Sequence, residues 1–360
     1  MNTSIAPRKG VLFGLILLLA LGLSACSGAY ARSSGWPGLT ADRSTAYLAY
    51  NQGVYAVDLE SGQLRWQFPQ KPDRKQTFYA PPVLTPDGQL LAASYDHTLY
   101  SLDPANGQLR WTFEEARNHY VGAPLATETG IYAPNADGSL YALDLQGQPR
   151  WTFHSAHALW ATPATDGQRL YLPAMDHHLY ALDAADGSVL WQKDLGGAMV
   201  SRPALGDGVL YVGTFADKLV AVETATGNLV WEAATSGWVW STPLLADGQL
   251  YFGDVGGTFY ALDAATGETR WSLQPDGPIV GTAALADHTV YFTTEQGTLY
   301  AVNAQDGTPR WTHPLGVTLQ TGPVVTDEGL VLVAPTEGEQ LLFALEAETG
   351  QPRWTLAPSP

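Results

Sequence analysis

A tryptophan that returns at intervals of 40 residues constrains this chain more than any other feature. Five of the seven intervals between eight such tryptophans are 40 residues long. The eight positions are Trp66, Trp111, Trp151, Trp191, Trp231, Trp271, Trp311 and Trp354. A period of about 40 to 45 residues with four short strands in each period is typical of a β-propeller. The repeat therefore predicts an all-β fold, an eight-bladed β-propeller of four-stranded antiparallel blades.

The fourth repeat illustrates how each blade is predicted to form. Strand A begins near Pro163, and runs of β-forming residues over 169–173, 179–182 and 189–193 follow as strands B, C and D. Ala283 replaces the strand-A proline in one repeat, and the other seven keep it, as Pro37, Pro82, Pro124, Pro163, Pro203, Pro243 and Pro323. All eight repeats therefore fit between residues 36 and 357.

The phrase that ends in each tryptophan resembles a known motif. The fourth repeat carries it from Leu179 to Trp191 as Leu-Tyr-Ala-Leu-Asp-x-x-x-Gly-x-x-x-Trp, which is similar to the tryptophan-docking motif of the PQQ-type propeller repeat. That family includes the quinoprotein dehydrogenases and BamB-like outer-membrane assembly lipoproteins. The resemblance implies that the eight repeat tryptophans are structural residues packed between blades. One departure is the turn of the third repeat, Asp144 to Gly147, which is one residue shorter.

The first 25 residues carry the pattern of a bacterial lipoprotein signal peptide. Arg8 and Lys9 precede an unbroken apolar run over 11–23, and Leu-Ser-Ala-Cys26 follows. This ending resembles the lipobox, in which the cysteine is lipidated and becomes the first residue of the mature protein. The alternatives are an uncleaved membrane anchor or a chance cysteine, but a transmembrane helix needs about 20 apolar residues.

These features predict three segments: a signal peptide over 1–25, a flexible tether over 26–35 that starts at the lipidated Cys26, and the propeller over 36–360. The predicted location is extracytoplasmic, with the lipid in a bacterial membrane. This is the outer membrane, facing the periplasm, if the source has one, and otherwise the cell membrane.

Charge and cysteine content exclude several classes of site. Cys26 is the only cysteine, which rules out an intrachain disulfide and a thiolate metal cluster. Loss of Arg8 and Lys9 with the signal changes the formal net charge from −17 to −19. Nucleic-acid binding requires a basic surface, so we expect no nucleic-acid partner. The expected partners are a membrane, through the lipid, and an envelope protein, and no obligate homo-oligomer is predicted.

Differences between the repeats concentrate on one predicted face. The A–B and C–D turns lie on one side of the blades, and the B–C and D–A loops lie on the other, called the top face here. Strand A is innermost in a propeller, so aromatic residues just before its proline are predicted to surround the mouth of the central channel. The candidate ligand or partner contacts are Tyr79, Tyr120, Trp160, Arg202, Trp238 and Trp240. The alternative is that the aromatic side chains only plug the channel.

Histidines also favour the top face. Six of the eight histidines fall in predicted top-face loops of blades 2 to 4: His97, His119, His154, His157, His177 and His178. Imidazoles with Asp96 and Asp176 nearby have the chemistry of a divalent-metal site. Solvated loop residues are the alternative interpretation, and we predict no metal.

Three functions fit the sequence to different degrees. The quinoprotein dehydrogenases that the chain resembles carry long loop insertions, a calcium site and a vicinal disulfide, whereas blades 3 to 7 here keep the minimal 40-residue spacing. We therefore predict no enzyme activity and no cofactor, and a PQQ-dependent dehydrogenase is an alternative. The resemblance to BamB-like lipoproteins implies a non-catalytic scaffold for envelope or outer-membrane protein assembly. Binding or sensing of a small molecule or glycan at the channel mouth is the other alternative.

Overall fold

A computed structural model describes residues 36–357 as an all-β domain. The predicted signal peptide, Cys26 and the predicted tether lie outside these residues. The described chain forms eight four-stranded sheets, and in each sheet the strands pair in chain order. No helix within residues 36–357 is long and apolar enough to cross a membrane. The eight sheets are the blades of an eight-bladed β-propeller, as the repeat predicts.

The strands of blades 1 to 4 are β1 (Gly38–Ala41), β2 (Thr45–Tyr50), β3 (Gly53–Asp58), β4 (Leu64–Phe68), β5 (Val83–Leu84), β6 (Leu90–Ala93), β7 (Leu99–Leu102), β8 (Leu109–Phe113), β9 (Leu125–Ala126), β10 (Ile131–Pro134), β11 (Ser139–Leu143), β12 (Pro149–His154), β13 (Ala164–Thr165), β14 (Arg169–Pro173), β15 (His178–Asp183) and β16 (Val189–Asp194). The strands of blades 5 to 8 are β17 (Ala204–Gly206), β18 (Val209–Thr214), β19 (Lys218–Glu223), β20 (Leu229–Ala234), β21 (Leu244–Ala246), β22 (Gln249–Gly253), β23 (Phe259–Asp263), β24 (Thr269–Leu273), β25 (Ala284–Ala286), β26 (Thr289–Thr293), β27 (Thr298–Asn303), β28 (Pro309–Pro314), β29 (Val324–Val325), β30 (Leu330–Val333), β31 (Leu342–Glu346) and β32 (Pro352–Leu356).

The hydrophobic core lies between neighbouring blades. Each of its clusters combines inner strands of one blade with those of the next, because the middle strands are apolar on both faces. One cluster joins Leu48 of blade 1 to Leu332 and Leu342 of blade 8, and all three side chains are fully buried. The same apolar contact that joins every other pair of blades therefore closes the ring.

A β-bulge begins the outermost strand of every blade. In blade 6, Trp271 pairs with Ala261 and Thr269 pairs with Leu262, so Arg270 is the extra residue between them. The other seven blades show the same shift in register. A bulge redirects the side chain of its extra residue, and here the residue before each repeat tryptophan is exposed.

The repeat tryptophans lie between blades. Trp231 of blade 5 donates its Nε1–H to the carbonyl oxygen of Ala264, in the C–D turn of blade 6, over 3.0 Å. The glycine of that turn, Gly267, has a φ of +74°, and a Cβ atom there would lie 2.7 Å from the Trp231 ring. Trp354 makes the corresponding bond to the carbonyl oxygen of Leu59, at 2.9 Å, and thereby links blade 8 to blade 1. Turn and indole are thus fitted to each other.

One tryptophan uses a different acceptor. The short turn of blade 3 leaves the Leu145 carbonyl oxygen without a bond from Trp111, and the side chain of Gln89 connects the two groups. Its Nε2–H donates to Leu145 over 2.8 Å, and its Oε1 accepts from Trp111 Nε1 over 2.8 Å. Ser101 donates to the same Oε1 atom. Gln89 therefore compensates for the residue that this turn lacks.

Candidate functional site

The top face is assembled by D–A loops that contact both of the blades they join. In blade 5 the Phe215 amide donates to the Ala198 carbonyl oxygen of the preceding loop at 2.9 Å, and the Val239 amide of the following loop donates to the Thr214 carbonyl oxygen at 3.1 Å. The first residue of the B–C turn is thereby held beside the D–A loop. Side chains from both segments meet around the channel mouth.

Four aromatic side chains form a continuous group on this face, called the aromatic cluster here. Trp238 stacks on Phe215 with ring centroids 4.8 Å apart, and Phe215 contacts Trp240 at 5.0 Å. Trp240 in turn meets the edge of Trp36 at 5.2 Å. Trp36 precedes blade 1 and Trp240 precedes blade 6, which are not neighbours in the ring, so the Trp36 indole extends over the channel mouth.

The aromatic cluster presents apolar surface to solvent. Trp36 is 37% exposed and Trp238 is 47% exposed. Single exposed apolar residues are ordinary, but contiguous exposed aromatic surface is typical of binding sites. Planar indole faces in this arrangement can stack on a sugar ring, an aromatic group or an apolar side chain.

A second aromatic group lies on blades 2 and 3. Tyr79 meets Tyr95 edge to face at 4.4 Å, and Tyr95 stacks on the His119 imidazole at 4.4 Å. Burial, and then the neighbouring His97, lower the pKa of His119 below its usual value, so this imidazole is neutral at pH 7. The second group is therefore an uncharged aromatic surface.

Arg202 is the cationic residue of the channel mouth. It makes no hydrogen bond or ion pair with any part of the chain that the structure describes. Surrounding protein lowers the pKa of its guanidinium, which stays protonated because its usual value is 12.5. Its side chain is still accessible from the channel. A charge that is partly desolvated and has no counter-ion favours binding of an anionic group.

The remaining predicted contacts lie in different surroundings. Trp160 is half-buried, and its Nε1–H is shielded from solvent and has no hydrogen-bond partner within residues 36–357. Tyr120 lies in the core between blades 2 and 3 and is 0% exposed. A ligand at the mouth cannot reach Tyr120 in this structure, which removes it from the group of accessible contacts. Arg202 and Trp238 are exposed, and Tyr79, Trp160 and Trp240 are half-buried, so these five remain accessible.

The repeat register accounts for the position of Tyr120. It stands four residues before the strand-A position, where a large apolar side chain recurs and is buried in blades 2 to 8: Phe78, Tyr120, Leu159, Met199, Val239, Ile279 and Leu319. Register also provides a signal for Trp36, which occupies the same position as Arg202, one residue before the proline. Phe215 and Tyr95 carry no such signal in the sequence. Both lie in B–C turns, and only the fold brings Phe215 to the aromatic cluster and Tyr95 to the second aromatic group.

The histidines of blades 2 to 4 do not converge. His97 and His177 occupy turn positions with φ of +71° and +72°. Asp96 and Asp176 each accept a hydrogen bond from a tyrosine, and His178 Nδ1 lies 3.6 Å from Asp176 Oδ1. The Tyr100 hydroxyl donates to Asp96 at 2.6 Å, and other blades repeat this pairing. Within residues 36–357 no three His, Cys, Asp or Glu side chains are arranged to hold a metal ion.

Solved structures with a similar fold include a natural protein and a designed one. The crystal structure of BamB from Moraxella catarrhalis matches with a TM-score of 0.68 and 17% identity, over 86% of this chain and 91% of that one. The computationally designed protein Ika8 matches with a TM-score of 0.76 and 15% identity, over 87% of this chain and 96% of the design. At these identities the likeness is one of fold alone. Comparison with curated protein sequences finds no significant match.

A family profile matches most of the chain. The profile described as "Outer membrane protein assembly factor BamB" matches residues 50–198, 175–316 and 277–360. These overlapping matches span the propeller from blade 1 to blade 8 and cover well over half of the chain. On this ground, and with eight copies of the tryptophan-docking repeat, the chain belongs to the BamB family of PQQ-type repeat propellers.

Proposed function

We propose that this protein is a membrane-anchored extracytoplasmic lipoprotein that acts as a non-catalytic scaffold in protein assembly at the bacterial envelope. The observation that carries the proposal is membership of the BamB family across residues 50–360. The family description names outer membrane protein assembly, and a protein-binding role is the general property that this chain shares with it.

Two features of the chain support a scaffold. The blades are joined by consecutive apolar clusters and by indole hydrogen bonds, which gives a rigid body with exposed loops on both faces. The sequence before the propeller has the composition of a lipoprotein signal that ends at Cys26. A lipid at Cys26 would hold this acidic body at a membrane that its own charge does not favour.

Absence of catalysis is the second part of the proposal. A quinone cofactor with its calcium ion requires a group of carboxylate and amide ligands beneath a covering loop. Within the described residues no three acidic or histidine side chains converge, and the aromatic cluster does not provide oxygen ligands. The residues present do not fit such a group.

Lipidation is tested by expressing the full chain and Cys26→Ser in a diderm bacterium with radiolabelled palmitate. We expect label and membrane association for the wild type, and neither for Cys26→Ser. Unlabelled wild-type protein in the soluble fraction would contradict the anchor.

Assembly is tested by crosslinking the full chain in the native envelope, followed by mild detergent extraction and mass spectrometry. A stoichiometric envelope protein crosslinked to the propeller is the expected result. A single monomeric species would contradict the scaffold role.

The aromatic cluster favours a second candidate function, the binding of a small molecule or glycan at the channel mouth. Its exposed indoles provide a stacking surface, and Arg202 provides an unpaired cation. Tryptophan fluorescence of the full chain, titrated with neutral and acidic oligosaccharides, tests it. We expect a saturable change that Trp240→Ala abolishes and that Arg202→Gln weakens only for acidic sugars. If Trp240→Ala leaves the affinity unchanged, the aromatic residues only close the channel.

A further inference from the structure

The bulged residue of the outermost strand separates the blades into two classes. Six blades have arginine at this position: Arg65, Arg110, Arg150, Arg270, Arg310 and Arg353. Blades 4 and 5 have Leu190 and Val230 instead. Because the bulge is the same in all eight blades, the replacement places an aliphatic side chain where the others expose a cation.

The aliphatic residues of blades 4 and 5 are exposed. Val189 and Leu190 are 47% and 48% exposed, and Leu229 and Val230 are 52% and 45% exposed. With Leu109, they account for all of the exposed large aliphatic side chains in residues 36–357. Four of these five exposed aliphatic side chains therefore lie on two neighbouring blades.

Trp191 lies at the boundary between the two blades, and the exposed aliphatic residues on either side of it are called the outer patch here. It directly follows Leu190, and its Nε1–H donates to the Thr224 carbonyl oxygen of blade 5 at 2.9 Å. The Cα of Gly227 packs on the indole so closely that a Cβ would lie 2.7 Å away. Leu229 lies two residues after Gly227. The outer patch therefore has residues on both sides of the boundary between blades 4 and 5.

The outer patch also carries two acidic side chains that lack the arginine partner of the equivalent acids in other blades. In four other blades the arginine pairs with the acid that begins the C–D turn, as Arg270 does with Asp263. The equivalent acids here are Asp183, bonded to the Ala185 amide, and Glu223, bonded to Thr226. Neither forms an ion pair with a described residue. The neighbouring Arg169 donates to the Thr224 carbonyl oxygen instead.

We propose that the outer patch is a docking surface for a partner-protein segment that places an apolar side chain between basic ones. The partner's apolar group would cover Leu190 and Val230, and its cations would take the place that arginine fills in the other blades, beside Asp183 and Glu223. A second copy of this acidic chain lacks the complementary charge. The inference rests on the proposed scaffold role and identifies the surface that performs it.

The arginines of the other blades supply the decisive variant. In L190R/V230R, blades 4 and 5 acquire the residue that six blades already hold at this bulge, so the fold is retained. L190S/V230S removes the apolar groups without adding charge. L109R changes an aliphatic residue of similar exposure on blade 2 and is the control for added positive charge.

The probe is a fluorescein-labelled peptide of alternating lysine and valine, and its counterpart has glutamate in place of lysine. Anisotropy titrations with the full chain in detergent are expected to show binding of the basic peptide only. Both double variants should weaken binding by about tenfold or more, whereas L109R should bind like the wild type. Equal binding by wild type and double variants would overturn the proposal, as would equal binding of the acidic peptide.

Two further outcomes separate this proposal from the scaffold role. If the envelope partner still crosslinks to L190R/V230R, the scaffold role holds and the outer patch is not its surface. If peptide binding behaves as expected but no envelope partner crosslinks to the wild type, the surface holds and the scaffold role fails. A concentration-dependent dimer in sedimentation that L190R/V230R abolishes would show that a second copy is the occupant, and would overturn the proposal.

Discussion

The two faces of the ring use tryptophan in opposite ways. On the face of the C–D turns, Trp231 lies between two blades, bonds to the Ala264 carbonyl oxygen and covers Gly267. On the top face, Trp238 is 47% exposed and stacks on Phe215 of another loop. The first arrangement recurs around the ring and the second occurs once. Repetition therefore identifies residues that the fold needs, and departures from it identify residues available for binding.

The largest expected difference between the faces is in stability. Trp231→Ala should lower the free energy of unfolding by about 3 kcal/mol, because it removes an indole between blades and leaves the Ala264 carbonyl oxygen without its donor. Trp238→Ala should change it by less than about 0.5 kcal/mol. Urea unfolding followed by circular dichroism measures both. Equal losses would show that the faces do not differ in this way.

The glycine of the C–D turn tests the same contact between Trp231 and the turn of blade 6. Gly267 and Gly248 of blade 6 have φ of +74° and +72°, but only Gly267 faces an indole, and a Cβ at Gly248 would meet nothing within 4 Å. Both alanine variants carry the strain of a left-handed residue, about 1 to 2 kcal/mol. Gly267→Ala should cost about 1 kcal/mol more because its methyl group displaces Trp231. In the Trp231→Ala background this excess should disappear.

Gln89 and Gln249 form a matched pair that tests the compensated turn. They occupy the same repeat position, yet Gln89 bonds to Trp111 and Leu145, whereas Oε1 of Gln249 has no hydrogen-bond partner in the described part of the chain. Gln89→Ala should cost about 2 kcal/mol because it removes the hydrogen-bond partner of Trp111, Leu145 and Ser101. Gln249→Ala should cost about 0.5 kcal/mol or less. Equal losses would show that the bonds of Gln89 to Trp111 and Leu145 do not stabilise the contact between blades 2 and 3.

The smallest effect concerns the charges of the C–D turns. The Arg270 hydrogen bond, followed by backbone amides of the turn, holds the pKa of Asp263 below its usual value. Such a carboxyl contributes stability above its unfolded pKa of about 4 and loses it as the pH falls through the lower, folded pKa. Arg270→Leu should therefore reduce the loss of stability between pH 5 and pH 2, by less than about 1 kcal/mol because the pair is exposed.

Arg310→Leu is the control for this pH dependence. Asn303 replaces the acid in blade 7, and Arg310 donates to the His288 carbonyl oxygen instead. Removing this arginine should leave the acid sensitivity unchanged in urea titrations at each pH. A similar change in both variants would attribute the effect to net charge and not to the pair.

Much of the fold was predictable because each blade solves the same packing problem with the same residues. The spacing of tryptophan, glycine and proline gives the blade count, the strand order and the face of each turn. Gln89 was not predictable, since its partners, Trp111 and Leu145, are far apart in the chain and meet only across a blade boundary. The bulge that exposes Leu190 and Val230 was hidden for a similar reason, because it is a property of strand pairing.

The candidate site was predictable in part. The sequence predicted that Arg202, Trp238 and Trp240 lie in one layer of loops, because all three stand just before an innermost strand. It also placed Tyr120 there, although its register is that of a buried anchor. Position relative to the strand-A proline, and not aromatic character alone, decides whether such a side chain faces the channel or the core.

By itself, the sequence determined the number of blades, the tryptophan docks and the acidic character of the chain, because local turn chemistry and a fixed period carry that information. Tertiary structure alone decided which side chains from different blades meet. Trp36 reaches Trp240 because ring closure brings distant segments to one channel mouth, and Phe215 reaches Trp238 because the loop that leaves blade 5 bonds to the B–C turn of that blade. Leu190 and Leu229 lie on either side of one blade boundary, which the Trp191 indole spans.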